Sequence, residues 1–218
     1  MRFSLCTLGI AALMTLLPVV SPAASVLITN VTHDGSTNAI VSSTGTALQN
    51  VYVGVGYFSG LSDTQLQNLD AIAFDLVTSG GAFEALDEAS AWWAFGAGAL
   101  EGNAQAPILE GSDFIGESIY SIIGNAATLA DSTELLIFKH SGLFQEDSPF
   151  FNASAIIDLS SGNATLLWGS STAHSGNYFG EGIQAAYSTA GASSMVPEPS
   201  RLLFLLISSL GLLLRRRR

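Results

Sequence analysis

The sequence predicts a mainly β protein: an antiparallel β-sandwich or barrel-like sheet with one or two helices, flanked by an N-terminal signal helix and a C-terminal transmembrane helix. Two observations predict the β body. Short apolar or β-branched segments recur along the chain, separated by Gly, Asn, Ser and Asp. Only the stretch 62–77 shows the apolar spacing of an amphipathic helix. A third observation, an apolar run at each end of the chain, predicts the two flanking helices.

Residues 1–24 are predicted to be a secretory signal peptide. Arg2 supplies a charged start, residues 3–17 form an apolar run, and small residues at 21–25 suit a signal peptidase. Cleavage is expected at one of residues 23–25, with Ala24 favoured. Cys6 is the only cysteine of the chain and lies in this segment. The exported body is therefore expected to have no thiol chemistry and no disulfide.

Residues 25–176 are predicted to form one β-rich extracytoplasmic domain. The β-prone segments before the helix are 26–32, 38–42 and 51–58. Those after it are 91–95, 118–123, 134–139, 154–159 and 164–168. The stretch 177–196 is rich in Gly, Ser and Ala and is predicted to be a spacer.

The predicted helix has a recognisable start, face and end. Ser62 and Gln65 match a capping box, and Gly80 follows the last apolar position. The expected apolar face consists of Leu66, Leu69, Ala73 and Leu76. The expected solvated face consists of Asp63, Gln67, Asn68 and Asp70.

The charge of the body excludes some partners. Of 18 carboxylates only Glu198 lies in a terminal signal, so the body has 17 carboxylates against one basic residue, Lys139, a net charge of −16. Such a body repels nucleic acid and anionic membrane surfaces. It is suited to solubility outside the cell and to attracting cations.

The sequence contains no recognised catalytic or metal-binding motif. The three histidines, His33, His140 and His174, form no His-x-x-x-His pair, and no Gly-x-Ser-x-Gly elbow occurs. We therefore expect no catalytic residue, no metal and no cofactor. Two carboxylate groups, Glu84/Asp87/Glu88 and Glu146/Asp147, are interpreted as a solvated helix face or turn rather than a calcium site.

Aromatic residues offer a second kind of candidate site. An aromatic ring can stack on a sugar, and five aromatic side chains were considered for this role: Trp92, Trp93, Trp168, Tyr178 and Phe179. The favoured interpretation is that Trp92 and Trp93 are partly buried in the core.

The C-terminal 22 residues have three parts in a fixed order. The triplet Pro197, Glu198 and Pro199 holds an extended backbone. The uncharged stretch 202–214 spans roughly 20 Å as a helix, less than the bilayer core of about 30 Å. We therefore expect it to form a transmembrane helix with help from snorkelling arginines or local thinning of the bilayer. The chain then ends in four basic residues, which the positive-inside rule keeps in the cytoplasm: Arg215, Arg216, Arg217 and Arg218.

This C-terminus, 197–218, resembles the bacterial PEP-CTERM sorting domain. The resemblance covers about a tenth of the chain and implies recognition by an exosortase, cleavage near the triplet and association with exopolysaccharide or biofilm. The expected partners are therefore an exosortase, a signal peptidase, the inner membrane for a time, and exopolysaccharide, with no nucleic acid. The expected destination is the cell surface or the extracellular matrix.

The leading function is therefore that of an exported surface or matrix protein without catalytic activity of its own. Two alternatives stay open at this point. One is a secreted hydrolase that acts on matrix polysaccharide. The other is a sugar- or calcium-binding adhesive module.

Overall fold

The protein is mainly β. The structure, a computed structural model, describes residues 24–30, 38–89, 98–147, 154–159, 163–174 and 184–192. Within them lie two helices, α1 (Asp63–Leu66) and α2 (Ala71–Thr78). The strands described are β1 (Ala24–Thr29), β2 (Ala39–Val41), β3 (Val53–Phe58), β4 (Phe83–Ala89), β5 (Glu101–Ala106), β6 (Ser118–Gly124), β7 (Leu135–Leu143), β8 (Ser154–Asp158), β9 (Ala164–Trp168), β10 (Ser170–His174) and β11 (Gln184–Ser188).

The described strands form three sheets. The five-stranded sheet has the order β4-β3-β6-β7-β9 and is antiparallel throughout, as the sequence predicts. The other two sheets, β5-β1-β8 and β10-β11-β2, each contain one parallel pairing, β1 with β8 and β11 with β2. Parallel partners need a long crossover, and hydrophobic alternation does not reveal strand direction. In the described part of the chain, no sheet closes into a barrel.

The five-stranded sheet is buried on both faces. Along β7, Leu136 and Phe138 belong to the hydrophobic cluster that also contains Ile28 of β1. Leu135 and Ile137 point to the opposite face and belong to the cluster beneath the two helices. Side chains alternate along a strand, so a strand that is covered on both sides needs a continuous apolar run. Residues 135–138 of β7 are such a continuous apolar run, and all four are buried.

The predicted helix at 62–77 is two helices rather than one. The capping box is confirmed: the Gln65 backbone donates to Ser62 Oγ at 3.4 Å, and the Ser62 backbone donates to Gln65 Oε1 at 3.0 Å. α1 then ends after one turn. Asp70 starts α2 as a second N-cap, because its Oδ1 accepts a hydrogen bond from the Ala73 backbone at 2.8 Å.

The break between the helices changes which side chains face the core. Leu66 and Leu69 are fully buried, as the apolar spacing predicts. In α2, which starts after Asp70, a different set of residues faces the core: Phe74, Val77 and Thr78 are buried. Leu76 was expected on the apolar face and is 41% exposed. That assignment is wrong, since it continued one helical period through a break.

Four described strands were not expected from the sequence: β4, β5, β10 and β11. The segment Phe83–Ala89 has helix-favouring composition, with Glu, Ala and Leu, yet it pairs along β3 as an edge strand of the sheet. Its charged side chains suit an edge, because they discourage pairing with another chain. The predicted strand at 91–95 lies outside the described residues.

Part of the predicted spacer is packed into the body. β11 lies between β10 and β2, and Ala186 is fully buried. The backbones of Ala190 and Leu135 exchange two hydrogen bonds of 2.9 Å. Residues 184–192, within the expected 177–196 spacer, therefore belong to the folded body.

The predicted membrane segments are not part of the described structure. Ala24 is the first residue of β1, and residues 1–23 and 193–218 lie outside the described ranges. Neither described helix is long and apolar enough to cross a membrane.

Candidate functional site

The predicted sorting residues lie outside the described part of the chain. These are Pro197, Glu198 and Pro199 of the triplet and the terminal Arg215, Arg216, Arg217 and Arg218. Their role stays a prediction from the sequence.

The structure describes the side chain of one histidine. His140 lies in β7, is half-buried, and its Nδ1 accepts a hydrogen bond from the Gly142 backbone at 2.9 Å. His33 lies outside the described residues, and only the backbone of His174 is described. No group of three or more His, Cys, Asp or Glu side chains in the described ranges is arranged to hold a metal ion.

Of the five aromatic candidates, Trp168 lies among the described residues. Trp168 is half-buried against the cluster beneath the helices, and its Nε1 donates to the Ala190 carbonyl at 3.0 Å. This contact secures the segment that follows β11 and leaves Trp168 as a structural residue. The other candidates, Trp92, Trp93, Tyr178 and Phe179, lie outside the described residues.

The two carboxylate groups have different settings. Glu84, Asp87 and Glu88 lie on edge strand β4 rather than on a helix or turn. In the second group, Asp147 Oδ2 accepts from the Ile108 backbone at 2.8 Å, and the Asp147 backbone donates back to the Ile108 carbonyl at 2.9 Å. Asp147 therefore joins two loops, and Glu88 belongs to the cavity described next.

A cavity of about 470 Å³ opens beside the helical layer, and we call it the Tyr52 cavity. Four stretches of the chain line it: Tyr52 just before β3, the C-terminal end of α2 with the two residues after it, strand β4, and the loop 127–130. Its lining residues are Tyr52, Thr78, Ser79, Gly80, Phe83, Ala85, Glu88, Ala127, Thr128, Leu129 and Ala130. No sequence pattern predicted this site, because its walls come from four separate stretches of the chain.

A glycine makes room for the tyrosine at the base of this cavity. The Tyr52 side chain lies across β3 at Gly54, where an added Cβ would stand 2.6 Å from the Tyr52 hydroxyl oxygen. The Tyr52 hydroxyl donates to Glu88 Oε2 at 2.9 Å. Burial, and then the neighbouring Glu88 carboxylate, raise the pKa of Tyr52 far above its ordinary value. The phenol therefore stays protonated and orients the carboxylate.

The helix end that forms one wall of the cavity has a well-defined geometry. Gly80 adopts a positive φ of 77°, and its backbone donates to the Val77 carbonyl at 3.1 Å. The Gly81 backbone donates to the Leu76 carbonyl at 3.0 Å. This pair of bonds is a Schellman motif, which explains why the helix ends where the glycines predict.

The hydroxyl groups of the cavity already use their hydrogens inside the protein. Thr78 Oγ1 and Ser79 Oγ donate to carbonyls of their own helix, at 3.0 and 3.2 Å. Thr128 Oγ1 donates to Asp131 Oδ2 at 2.7 Å. What these three oxygens still offer are lone pairs, and the Glu88 carboxylate adds more. The side-chain oxygens of the cavity therefore accept hydrogen bonds rather than donating them.

Lys139, the one basic residue of the body, is held in an ion pair. Its Nζ lies 2.7 Å from Asp63 Oδ2, and the Tyr120 hydroxyl donates to Asp63 Oδ1 at 2.7 Å. The hydrogen bond to Asp63 raises the pKa of Lys139. Burial by itself raises the pKa of Asp63, but the hydrogen bonds from Lys139 and Tyr120 outweigh it and lower that pKa.

Asp63 lies on the solvated side of α1, as expected, with its side chain 40% exposed, and the ion pair gives it a structural role as well. Both groups stay charged at neutral pH, and together they connect α1 to β6 and β7. Lys139 is therefore a structural cation and not a neutral amine nucleophile.

Glu134 joins three segments of the body. Its carboxylate accepts from the Ser43 backbone at 2.9 Å, from Ser43 Oγ, and from Thr189 Oγ1 at 2.5 Å. Burial raises the pKa of Glu134, but the three hydrogen bonds together bring it below the ordinary value. The carboxylate thus holds the turn after β2 and the residue after β11 against the start of β7.

Comparison of the chain with protein-family models, with curated proteins and with solved structures finds no match. The functional conclusions therefore rest on the residues themselves.

Proposed function

We propose that this protein is an exported cell-surface or extracellular-matrix protein, sorted by an exosortase and without catalytic activity of its own. The observation that carries the proposal is the order of parts at the C-terminus. A Pro-Glu-Pro triplet at 197–199, an apolar stretch at 202–214 and four arginines follow one another, and a signal peptide stands at the opposite end. A signal peptidase and an exosortase then process the two ends while the body lies outside the inner membrane.

The proposed architecture of the body is a two-layer β-sandwich. One layer is the five-stranded sheet, and the other is the sheet β5-β1-β8. Support comes from the shared core, in which Val26 and Ile28 of β1 cluster with Val53 and Val55 of β3. The two helices cover the outer face of the five-stranded sheet.

Two features of the described body support a non-catalytic role outside the cell. The ionisable side chains with the clearest internal partners act structurally: Lys139 pairs with Asp63, and Glu134 joins three segments. The high net negative charge favours solubility in a hydrated matrix and association with cations rather than with exopolysaccharide that is itself anionic.

Processing at both ends can be tested by intact mass. Protein released from cells with an active exosortase should begin near residue 25 and end near residues 197–200. Replacing Pro197, Glu198 and Pro199 by Ala should leave the arginine cluster attached and the protein in the membrane fraction. The matched control, Pro107→Ala, changes an exposed proline outside the triplet and should be processed normally. Recovery of the wild-type chain with Arg218 still attached, in such cells, contradicts the proposal.

The non-catalytic part of the proposal has its own test. The purified protein should show no turnover on a panel of glycosides, esters and peptides. Reproducible hydrolysis that is abolished by His140→Ala, with the fold intact by circular dichroism, would instead support the hydrolase alternative.

The Tyr52 cavity favours a second role alongside the first, that of a binding module.

A further inference from the structure

We propose that the Tyr52 cavity binds a small organic cation, a protonated primary amine carried on a hydroxylated or alkyl body. The site is the space between the end of α2, strand β4 and the loop 127–130. The proposal rests on the charge, hydrogen-bonding capacity and size of the cavity. It does not depend on the sorting signal.

Charge selects against anions in this cavity. The Glu88 carboxylate lines it, and none of its lining residues is basic. The single lysine of the body is paired with Asp63, away from the cavity lining. The body as a whole carries 17 carboxylates. Its field therefore repels an anionic ligand and concentrates a cationic one.

Hydrogen-bonding capacity selects for a donor. The Tyr52 hydroxyl hydrogen is used on Glu88 Oε2, and the hydroxyl hydrogens of Thr78, Ser79 and Thr128 are used on groups of the protein. A ligand that accepts hydrogen bonds finds few donors among these side chains. An ammonium group has three donors and no acceptor, so it matches a wall of hydroxyl and carboxylate oxygens. Its bond to Glu88 would be charge-assisted, which is among the stronger kinds.

The arrangement fits an organic cation better than a metal ion. Calcium takes six to eight oxygen ligands and usually more than one carboxylate. The described residues contain no cluster of three such groups here or elsewhere. The apolar part of the lining, with Phe83, Leu129 and three alanines, suits the carbon frame of an organic molecule instead. About 470 Å³ is within the size range of small-ligand sites.

Binding to the full, processed protein can be measured by isothermal titration calorimetry at low salt. The probes are glucosamine, 1,4-diaminobutane, glucose and N-acetylglucosamine. Both amines should bind saturably, and glucose and N-acetylglucosamine, which lack the charge, should bind about tenfold more weakly or not at all. Tighter binding of glucosamine than of the diamine identifies a saccharide-borne amine as the preferred form, and the reverse order identifies an alkyl amine.

Two variants test the residues named. Glu88→Gln removes the charge while keeping the shape, and it should weaken amine binding by about tenfold. Tyr52→Phe keeps the ring but removes the hydroxyl that orients the Glu88 carboxylate. It should therefore weaken amine binding by a smaller factor. The control Glu84→Gln removes the same charge from the same strand, outside the cavity lining, and should bind amines like the wild type.

Three results would overturn the proposal. The first is an absence of saturable amine binding to the wild-type protein. The second is equal binding of glucose and glucosamine, which would mean that the charge does not select the ligand. The third is equal loss of binding in Glu88→Gln and Glu84→Gln, which would mean that the effect comes from net charge and not from this site.

Discussion

The most informative perturbation of this fold is at Asn30, a fully buried polar residue at the end of β1. Its Nδ2 donates to the Asn38 carbonyl at 2.9 Å and to the Gly98 carbonyl at 2.8 Å. Its Oδ1 accepts from the Leu100 backbone at 2.7 Å. The Asn30 side chain therefore joins the segment that leads into β2 to the segment that leads into β5.

Asn30→Ala should lower the free energy of unfolding by about 3–5 kcal/mol. The substitution removes three hydrogen bonds and leaves the Asn38 carbonyl and the Leu100 N–H without these partners. The Gly98 carbonyl still accepts from the Ile40 backbone at 2.9 Å. Each bond contributes about 1 kcal/mol net, and each unsatisfied buried group costs about 1–3 kcal/mol. The total stability of a domain of this kind is about 5–15 kcal/mol, so the loss is a large fraction of it.

Urea unfolding followed by tryptophan fluorescence measures this loss. With a slope of about 2 kcal/mol per molar urea, the midpoint should fall by roughly 1.5–2.5 M. The control Asn68→Ala removes one hydrogen bond, from an exposed side chain to the Thr64 carbonyl at 2.9 Å, and should cost less than about 0.5 kcal/mol. If Asn30→Ala comes within about 1 kcal/mol of Asn68→Ala, the reasoning about the buried amide is refuted.

Three further predictions test the helix break, the Glu134 carboxylate and the ion pair. Leu69→Ala should cost about 2–5 kcal/mol because Leu69 is fully buried, and Leu76→Ala should cost under about 1 kcal/mol because Leu76 is 41% exposed; equal losses in urea would contradict the two-helix assignment. The pKa of Glu134 is lowered by folding, so its carboxylate stabilises the protein above the ordinary pKa of 4.5 and this contribution is lost as the pH falls through the lower, folded value. The stability advantage of the wild type over Glu134→Gln should therefore shrink as the pH falls below 4.5, and a constant difference would argue against it. A double-mutant cycle with Lys139→Met and Asp63→Asn should give a coupling of about 0.5–1 kcal/mol that decreases with added salt, since the side chains are 29% and 40% exposed; a salt-independent coupling would disagree.

Local features of this fold could be predicted from the sequence. The capping box of Ser62 and Gln65, and the end of α2 at Gly80, depend on hydrogen bonds between residues a few positions apart. The segment 134–139 indicated a strand, because it is short, apolar or β-branched and bounded by turn-forming residues. The sorting signal at 197–218 could be proposed for a similar reason, since its three parts are contiguous in the chain.

Features that depend on distant partners could not be predicted. The apolar spacing runs through Asp70 without interruption, so the break into two helices is not visible as a change of period. β4 has helix-favouring residues and becomes a strand because β3 offers an edge. β11 lies in a Gly-, Ser- and Ala-rich stretch whose small residues looked like a spacer, but they pack where β2 and β10 approach it.

The Tyr52 cavity shows most clearly what only the tertiary structure decided. Tyr52, Glu88 and Thr128 come from distant positions, and no spacing in the sequence relates them. The Thr78 and Ser79 hydroxyls donate to carbonyls of α2, and the Thr128 hydroxyl donates to Asp131. These three side chains can therefore only accept hydrogen bonds from a ligand. The predicted export signals, the acidic charge and the β-rich composition come from the sequence alone, because they are properties of neighbouring residues or of the composition. The burial of a shared core brought the distant segments together, and the candidate site exists only as a consequence of that packing.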